Sequence, residues 1–320
     1  MSQPANNKSS PTESVVVVVG SLNTDFVLTL DAFPAAGESV LGKTFEQAPG
    51  GKGLNQAVAA SRLGAQVAMI GAVGGDQFGP GLIQTLTDEG IDSLVSQIPD
   101  TSTGMAIIEV EGSGENRIIV VSGANNFLSE DSVETSLREI AGEHRIGVVL
   151  TQGEVPVQTT ERALRVAKEL GAITILNPAP VRDFPPSVFP LVDYLVPNEL
   201  EAQGLCTLEG NACKSMLDFV EVATSIVDLG VGSVIITRGE KGAVWSTATA
   251  SGQAAAFRIV PVDTVAAGDA FCGGLAAALN EGQPLNEALR WASAAGALTA
   301  TRVGAIASLP RRSEVEELLI

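Results

Sequence analysis

Short runs of apolar, mostly β-branched residues recur along the chain at 15–19, 67–70, 148–150, 173–176, 194–196 and 234–236. Their unbroken apolarity predicts strands covered on both faces, as in a parallel sheet. Stretches with helical spacing fall between them at 53–63, 78–89, 130–140, 157–170 and 216–229. The alternation predicts an α/β fold: a doubly wound, mostly parallel sheet flanked by helices. Two stretches break the rhythm, 25–45 and 104–121, and in the second GMAIIEV and NRIIVV flank the turn-rich EGSGE in a hairpin pattern. Neither holds a helix, so together they predict a small β-sheet lid, inserted at about 25–45 and 101–123, over the strand ends. Strands near 243–245 and 257–260 and helices near 269–279 and 285–300 complete the pattern. No Pro/Ser-rich linker divides it, so 15–320 reads as one domain behind a disordered polar tail at 1–14.

Charge and composition narrow the function. Lys and Arg number 19 against 37 Asp and Glu, a net charge of −18 that repels nucleic acid and anionic membrane surfaces. The same charge repels a nucleotide, so phosphate chemistry here requires local backbone N–H groups, a cation or a few placed bases. Three cysteines, Cys206, Cys213 and Cys272, show no zinc spacing, and their sparse, odd count argues against a disulfide framework and fits a reducing cytoplasm. The single histidine, His144, excludes a multi-histidine metal site and reads as a surface residue at a helix end. No apolar stretch is long enough to span a membrane.

Candidate chemistry concentrates in glycine turns and at strand ends. In DTVAAGDAF, the small residues Ala266, Ala267 and Gly268 run into an apolar helix. A ligand can approach that backbone, whose free N–H groups and dipole favour an anion. Asp269 in the same turn is either a helix cap or a base that takes a hydroxyl proton beside the anion site. A second glycine turn, PGGKGLNQA at 49–57, opens another helix, but it lacks the spacing of a Walker A loop. Asn23 and Asp25 in GSLNTD follow the first strand, and Glu154 in TQGE follows a later one. Open α/β sheets bind ligands at such carboxyl ends, although turn chemistry explains these residue types equally well. Asn198 and Glu201 in NELE, with TRGEKG at 237–242, offer a carboxylate for a water-bound Mg²⁺ and a polar loop for nucleotide phosphates. No G-x-G-x-x-G follows the first strand, which disfavours a dinucleotide-dependent oxidoreductase.

Taken together, PGGKGLNQAVAASRLG, DTVAAGDAFCGGLA, GSLNTD, NPAP, PNELEA, TRGEKG and TRVGAIASLP resemble the signatures of the ribokinase-like carbohydrate kinase family from about residue 15 to 310. The resemblance implies transfer of the γ-phosphoryl group of Mg-ATP to O5 of D-ribose. Asp269 would be the catalytic base and Ala266, Ala267 and Gly268 the anion hole. It implies that Asn23, Asp25, Gly51, Lys52, Asn55 and Glu154, together with Asp269, hold the sugar. ATP would lie over Asn198, Thr237, Arg238, Gly239, Glu240, Lys241, Gly242, Ala267 and Gly268, with Ser293 beside the adenine. Glu201 would serve Mg²⁺ through water, and an activating K⁺ would be held around Asp263, Val265, Thr299, Arg302, Gly304 and Ser308, largely by carbonyls. The resemblance also implies a homodimer through the lid segments, and exposed edge strands give a physical reason for such pairing. A kinase for 2-deoxyribose, fructose or a nucleoside is the nearest alternative, and a non-catalytic sugar sensor a more distant one.

Overall fold

The computed structural model describes residues 14–113, 115–208 and 218–320. Its strands are β1 (Ser14–Val19), β2 (Asn23–Leu30), β3 (Thr44–Gly50), β4 (Gln66–Gly74), β5 (Asp92–Ile98), β6 (Gly104–Glu111), β7 (Asn116–Val121), β8 (Arg145–Gln152), β9 (Ile173–Asn177), β10 (Tyr194–Leu195), β11 (Ser233–Thr237), β12 (Ala243–Thr247) and β13 (Ser251–Ala254). The helices are α1 (Lys52–Arg62), α2 (Gly79–Asp88), α3 (Glu130–Glu143), α4 (Val157–Glu169), α5 (Glu199–Leu208), α6 (Phe219–Val227), α7 (Ala267–Asn280), α8 (Leu285–Thr299) and α9 (Arg312–Leu319).

Nine strands form the main sheet in the order β13-β12-β11-β10-β9-β8-β1-β4-β5. Pairing is parallel from β5 to β11, and a hairpin adds β12 and β13 antiparallel at one edge. Strand alternation explains the apolar run in β1. Val16 and Val18 pack on one face with Leu54 of α1, Leu275 of α7 and Leu289 of α8. Val15, Val17 and Val19 pack on the other with Val133 of α3 and Ala163 of α4. Full burial of a valine side chain stabilises the fold by about 1.5–3 kcal/mol, so both faces must stay covered.

The second sheet is the lid, in the order β3-β2-β6-β7. Its centre, β2 with β6, is parallel, and both flanking pairs are antiparallel. Asn23 is opposite both Gly50 and Gly104, so three chain segments converge where the lid leaves the main body.

Some expectations shift. Residues 257–260 form no strand: Val260 is exposed, Pro261 offers no N–H, and β13 at Ser251–Ala254 takes the edge position instead. The helix expected at 216–229 is described as α6 from Phe219, and residues 216–217 lie outside the described residues; of the tail expected at 1–14, residues 1–13 lie outside them too, whereas Ser14 opens β1. Cys206 is disulfide-bonded, so the sparse cysteine count did not exclude a single crosslink. Among the described residues no helix is long and apolar enough to cross a membrane.

Candidate active site

β1 lies between β4 and β8, and the chain builds the sheet first to one side of it and then to the other. A crevice therefore opens beyond the carboxyl ends of β1 and β8, where the direction of winding reverses. Into it run the loop after β1 with Ser21, the start of β2 with Asn23, the loop after β8 with Glu154, and the start of α1. Gly51 enters α1 at φ 92°, a conformation glycine adopts freely. At Gly53 a Cβ would lie 2.5 Å from the Ser21 nitrogen, so only glycine lets α1 approach the β1 loop this closely.

Glu154 fastens these loops together. Its Oε2 accepts from Ser21 Oγ and from the Lys52 N–H at 3.1 Å, and Ser21 Oγ accepts in turn from the Gly53 N–H at 3.2 Å. Asn23 is buried, and its Oδ1 accepts from Asn125 Nδ2 at 2.8 Å. Asn125, just past the lid strand β7, also holds the Leu22 backbone: its Oδ1 accepts from Leu22 N at 3.0 Å and its Nδ2 donates to Leu22 O at 3.1 Å.

Asp269 sits in the first turn of α7 and is buried. Asn55 Nδ2 donates to its Oδ2 at 2.9 Å, and Gln56 Nε2 donates to its Oδ1 at 2.9 Å. The turn before it is strained: Ala266 adopts the left-handed region at φ 59°, which costs a non-glycine residue about 1–2 kcal/mol. The Ala267 N–H donates back to the Thr264 carbonyl at 3.2 Å, whereas the N–H groups of Ala266, Gly268 and Asp269 have no acceptor among the described residues. Nothing lies within 4 Å of where a Gly268 Cβ would stand, so this end of the helix faces open space.

The site is acidic. The Asp25 carboxyl makes no hydrogen bond among the described residues, and its pKa is pushed up to about 7 by burial first, then by the charges of Glu154 and Asp269. Lys52 faces the opposite way electrically: the Asp269 charge raises its pKa most, burial opposes this, and Glu154 and Glu201 add to the rise. Burial raises the Glu201 pKa, with Asp269 adding to it and the Asn198 N–H and Lys52 working against it. Three carboxylates, Asp269, Glu154 and Glu201, thus act on one ammonium, and Asp25 adds a fourth acidic group beside Glu154 and Asp269. Hard oxygen donors in net excess of negative charge fit a magnesium ion arriving with phosphates.

Asn198 and Glu201 form a reciprocal cap at the start of α5, with Asn198 N–H donating to Glu201 Oε2 and Glu201 N–H to Asn198 Oδ1, both at 2.8 Å. Asn198 is bridged to Thr237, which brings the loop 237–242 beside it. Within that loop the Arg238 side chain is already engaged, through Nε to Glu199 at 3.0 Å and over the Phe219 ring. Gly239, Glu240 and Lys241 are exposed, Gly242 is half-buried, and Ser293 is half-buried on α8. Asp263 accepts from the Val265 N–H at 3.0 Å and the Gly304 N–H at 2.9 Å, tying the strap before α7 to the turn after α8. Nearby, the Thr299 carbonyl accepts from the Arg302 N–H, the Arg302 side chain pairs with Glu314, and Ser308 Oγ donates to the Ala305 carbonyl. Among the described residues no cluster of three His, Cys, Asp or Glu side chains is arranged to hold a metal by itself.

Sequence reasoning gave no role to Gln56, Asn125, Gln152 or Asn177, whose amides hold the site together; Gln56 stood in plain view beside Asn55. His144 ends α3 and takes no part. A cavity of about 500 Å³, lined among others by Lys168, Tyr194 and Ser233, opens at the amino ends of β9–β11, the opposite edge of the sheet.

The pfkB family carbohydrate kinase model matches residues 14–312. A ribokinase of Haemophilus influenzae is 39% identical over 305 residues, covering 95% of this chain and 98% of its own. One of Bacillus subtilis is 38% identical, covering 95% and 99%. A deoxyribokinase of Salmonella typhi is 34% identical, covering 95% and 98%. The solved structure of ribokinase from Thermotoga maritima superposes with a TM-score of 0.85 at 36% identity, covering 96% of this chain and 99% of that one. That of Arabidopsis thaliana ribokinase complexed with ribose and ATP gives 0.84 at 30% identity, covering 97% and 99%.

Proposed function

The chain belongs to the pfkB family of carbohydrate kinases, and from that premise we propose that it transfers the γ-phosphoryl group of Mg-ATP to O5 of D-ribose, releasing D-ribose 5-phosphate and ADP. One observation carries the chemistry: a buried carboxylate, Asp269, is held by two amide donors directly beside the unengaged N–H groups of its own helix start. The sugar hydroxyl lies against Asp269, which orients it and accepts its proton as O5 bonds to Pγ. The bond from Pγ to the β,γ-bridging oxygen breaks, and ADP leaves with that electron pair. The N–H groups of Ala266 and Gly268 meet the negative charge of the transferring group. Asn23, Asp25 and the unpartnered Asn55 Oδ1 take sugar hydroxyls, as do Gly51, Lys52 and Glu154 at the rim. Asn198, Thr237 to Gly242 and Ser293 line the nucleotide side.

Glu201 would hold, through water, the Mg²⁺ bound with ATP, and the ion would supply the charge neutralisation that an acidic site lacks. The strap of Asp263, Val265, Thr299, Arg302, Gly304 and Ser308 would hold K⁺, which would steady the turn into α7. The reading places the reaction in the cytoplasm. Exposed Phe45, Ile118 and Ile119 on the lid's edge strands support a homodimer through that sheet.

ADP release from Mg-ATP with D-ribose, 2-deoxy-D-ribose, D-fructose and adenosine, each in K⁺ and in Na⁺, tests the whole reading. Ribose-dependent turnover favoured by K⁺ supports it. Preference for 2-deoxyribose supports the second reading, which the 34% identical deoxyribokinase favours. Ribose binding without turnover leaves the sugar sensor.

A further inference from the structure

Asp269 is positioned by a chain of side-chain amides that starts one layer below it. Gln56 on α1 is fully buried, and its Nε2 donates to both Asp269 Oδ1 at 2.9 Å and Asn177 Oδ1 at 3.1 Å. Its Oε1 accepts from Gln152 Nε2 at 2.7 Å. Only one orientation satisfies these contacts. Asn177 Nδ2 donates to the Val196 carbonyl at 2.7 Å, a group that can only accept, so Asn177 must turn its Oδ1 toward Gln56. A flipped Gln56 would set its own oxygen against that oxygen and a carboxylate. The backbone of β10's exit thus dictates, through Asn177, which atom of Gln56 faces Asp269.

The helix contact beneath sets the reach. Gly273 lies one turn below Asp269 on α7, and a Cβ there would stand 2.6 Å from Ala59 Cβ and 2.7 Å from the Gln56 carbonyl. The two helices therefore touch backbone to backbone, which lets short amides on α1 span to a short carboxylate on α7.

We propose that Gln56 is a positioning residue for phosphoryl transfer. It touches neither sugar nor nucleotide; it fixes the plane and rotamer of the Asp269 carboxylate, with Gln152 fixing Gln56 from behind. The proposal rests on Asp269 being the base. Gln56→Leu keeps the volume and removes the donors. Misplacing a reacting group by a fraction of an ångström to one ångström costs roughly ten- to hundred-fold in rate. The expected result is a kcat loss of that order, with the KM values for sugar and ATP changed by less than about threefold.

A merely structural role is separated by a double-mutant cycle. If Gln56 acts through Asp269, Gln56→Leu lowers turnover in the wild-type background and adds no further loss to Asp269→Asn, read by ADP release from radiolabelled ATP. Equal losses in both backgrounds, or unchanged kcat, overturn the proposal. Gln152→Met, which leaves Gln56 in place and frees its oxygen, is the second variant should Gln56→Leu not fold; a smaller kcat loss with the same non-additivity is expected, and additivity again overturns it. Wild-type turnover with its best acceptor is the reference. Its complete absence refutes the kinase reading itself, whereas additivity in an active enzyme refutes only the role of Gln56.

Discussion

Asp25→Asn should make the ligand-free protein more stable at alkaline pH while weakening its hold on the sugar. The Asp25 carboxyl titrates at about 7 rather than 3.8, because burial and then the charges of Glu154 and Asp269 oppose its ionisation. Between those values the folded protein keeps a proton that the unfolded chain has released, so wild-type stability falls as pH rises through this window. A shift of about 3 units corresponds to about 4 kcal/mol, fully present as a penalty above pH 7. At pH 5 only the first unit or so has accumulated, roughly 1.5 kcal/mol. Asparagine carries no charge and escapes the penalty. Urea unfolding of both proteins without ligands, at pH 5.0 and 8.0, should show the stability difference moving in favour of Asp25→Asn by about 2–3 kcal/mol at the higher pH. Any pH-independent effect of the new amide cancels in that comparison. Wild-type ribose affinity should also strengthen from pH 6 to 8 as the acceptor carboxylate forms. A stability difference identical at the two pH values would refute the reasoning.

Three further perturbations follow. Gly50→Ala places a Cβ 2.1 Å from Asp25 Oδ2, which displaces the carboxylate. Loss of a charged hydrogen bond of about 1.5–3 kcal/mol should raise the sugar KM roughly ten- to hundred-fold with a smaller change in kcat, read by steady-state kinetics. Gly268→Ala meets nothing within 4 Å, so thermal melts should show no loss of stability, while the methyl group blocks the open helix end and lowers kcat/KM for ATP by roughly tenfold or more. Asp269→Asn should preserve folding and ribose binding, measured by circular dichroism and calorimetry, and remove most turnover; retained turnover would end its assignment as the base.

Much of this architecture could be read from the chain because buried parallel strands advertise themselves. The five valines at 15–19 must face apolar neighbours on both sides, and they do. β5 escaped notice because it is an edge strand, half-exposed and mixed in composition. Residues 257–260 misled for the opposite reason: they are rich in strand formers, yet no neighbouring strand is available to pair with them. The glycine turns pointed to both helix starts because close backbone approach demands a residue without a side chain. The amides did not point anywhere. Gln56, Gln152, Asn177 and Asn125 come from α1, β8, β9 and the segment after β7, and an amide's partner is a matter of spatial neighbours, which spacing along the chain does not encode.

Asn23 and Asp25 stand on β2, a strand of the small sheet, whereas Asp269, Asn55 and Gln56 stand on helices of the large one. Two of the proposed acceptor-binding residues thus stand on a separately built part from the proposed base, and the small sheet joins the large body where Asn23 pairs with Gly50 and Gly104. Changes along the small sheet can alter which hydroxylated compound is admitted and leave the amide scaffold around Asp269 untouched. A fold divided in this way can diversify its acceptors without reinventing its chemistry, and both ribokinases and a deoxyribokinase stand among the relatives that match nearly the whole length of this chain.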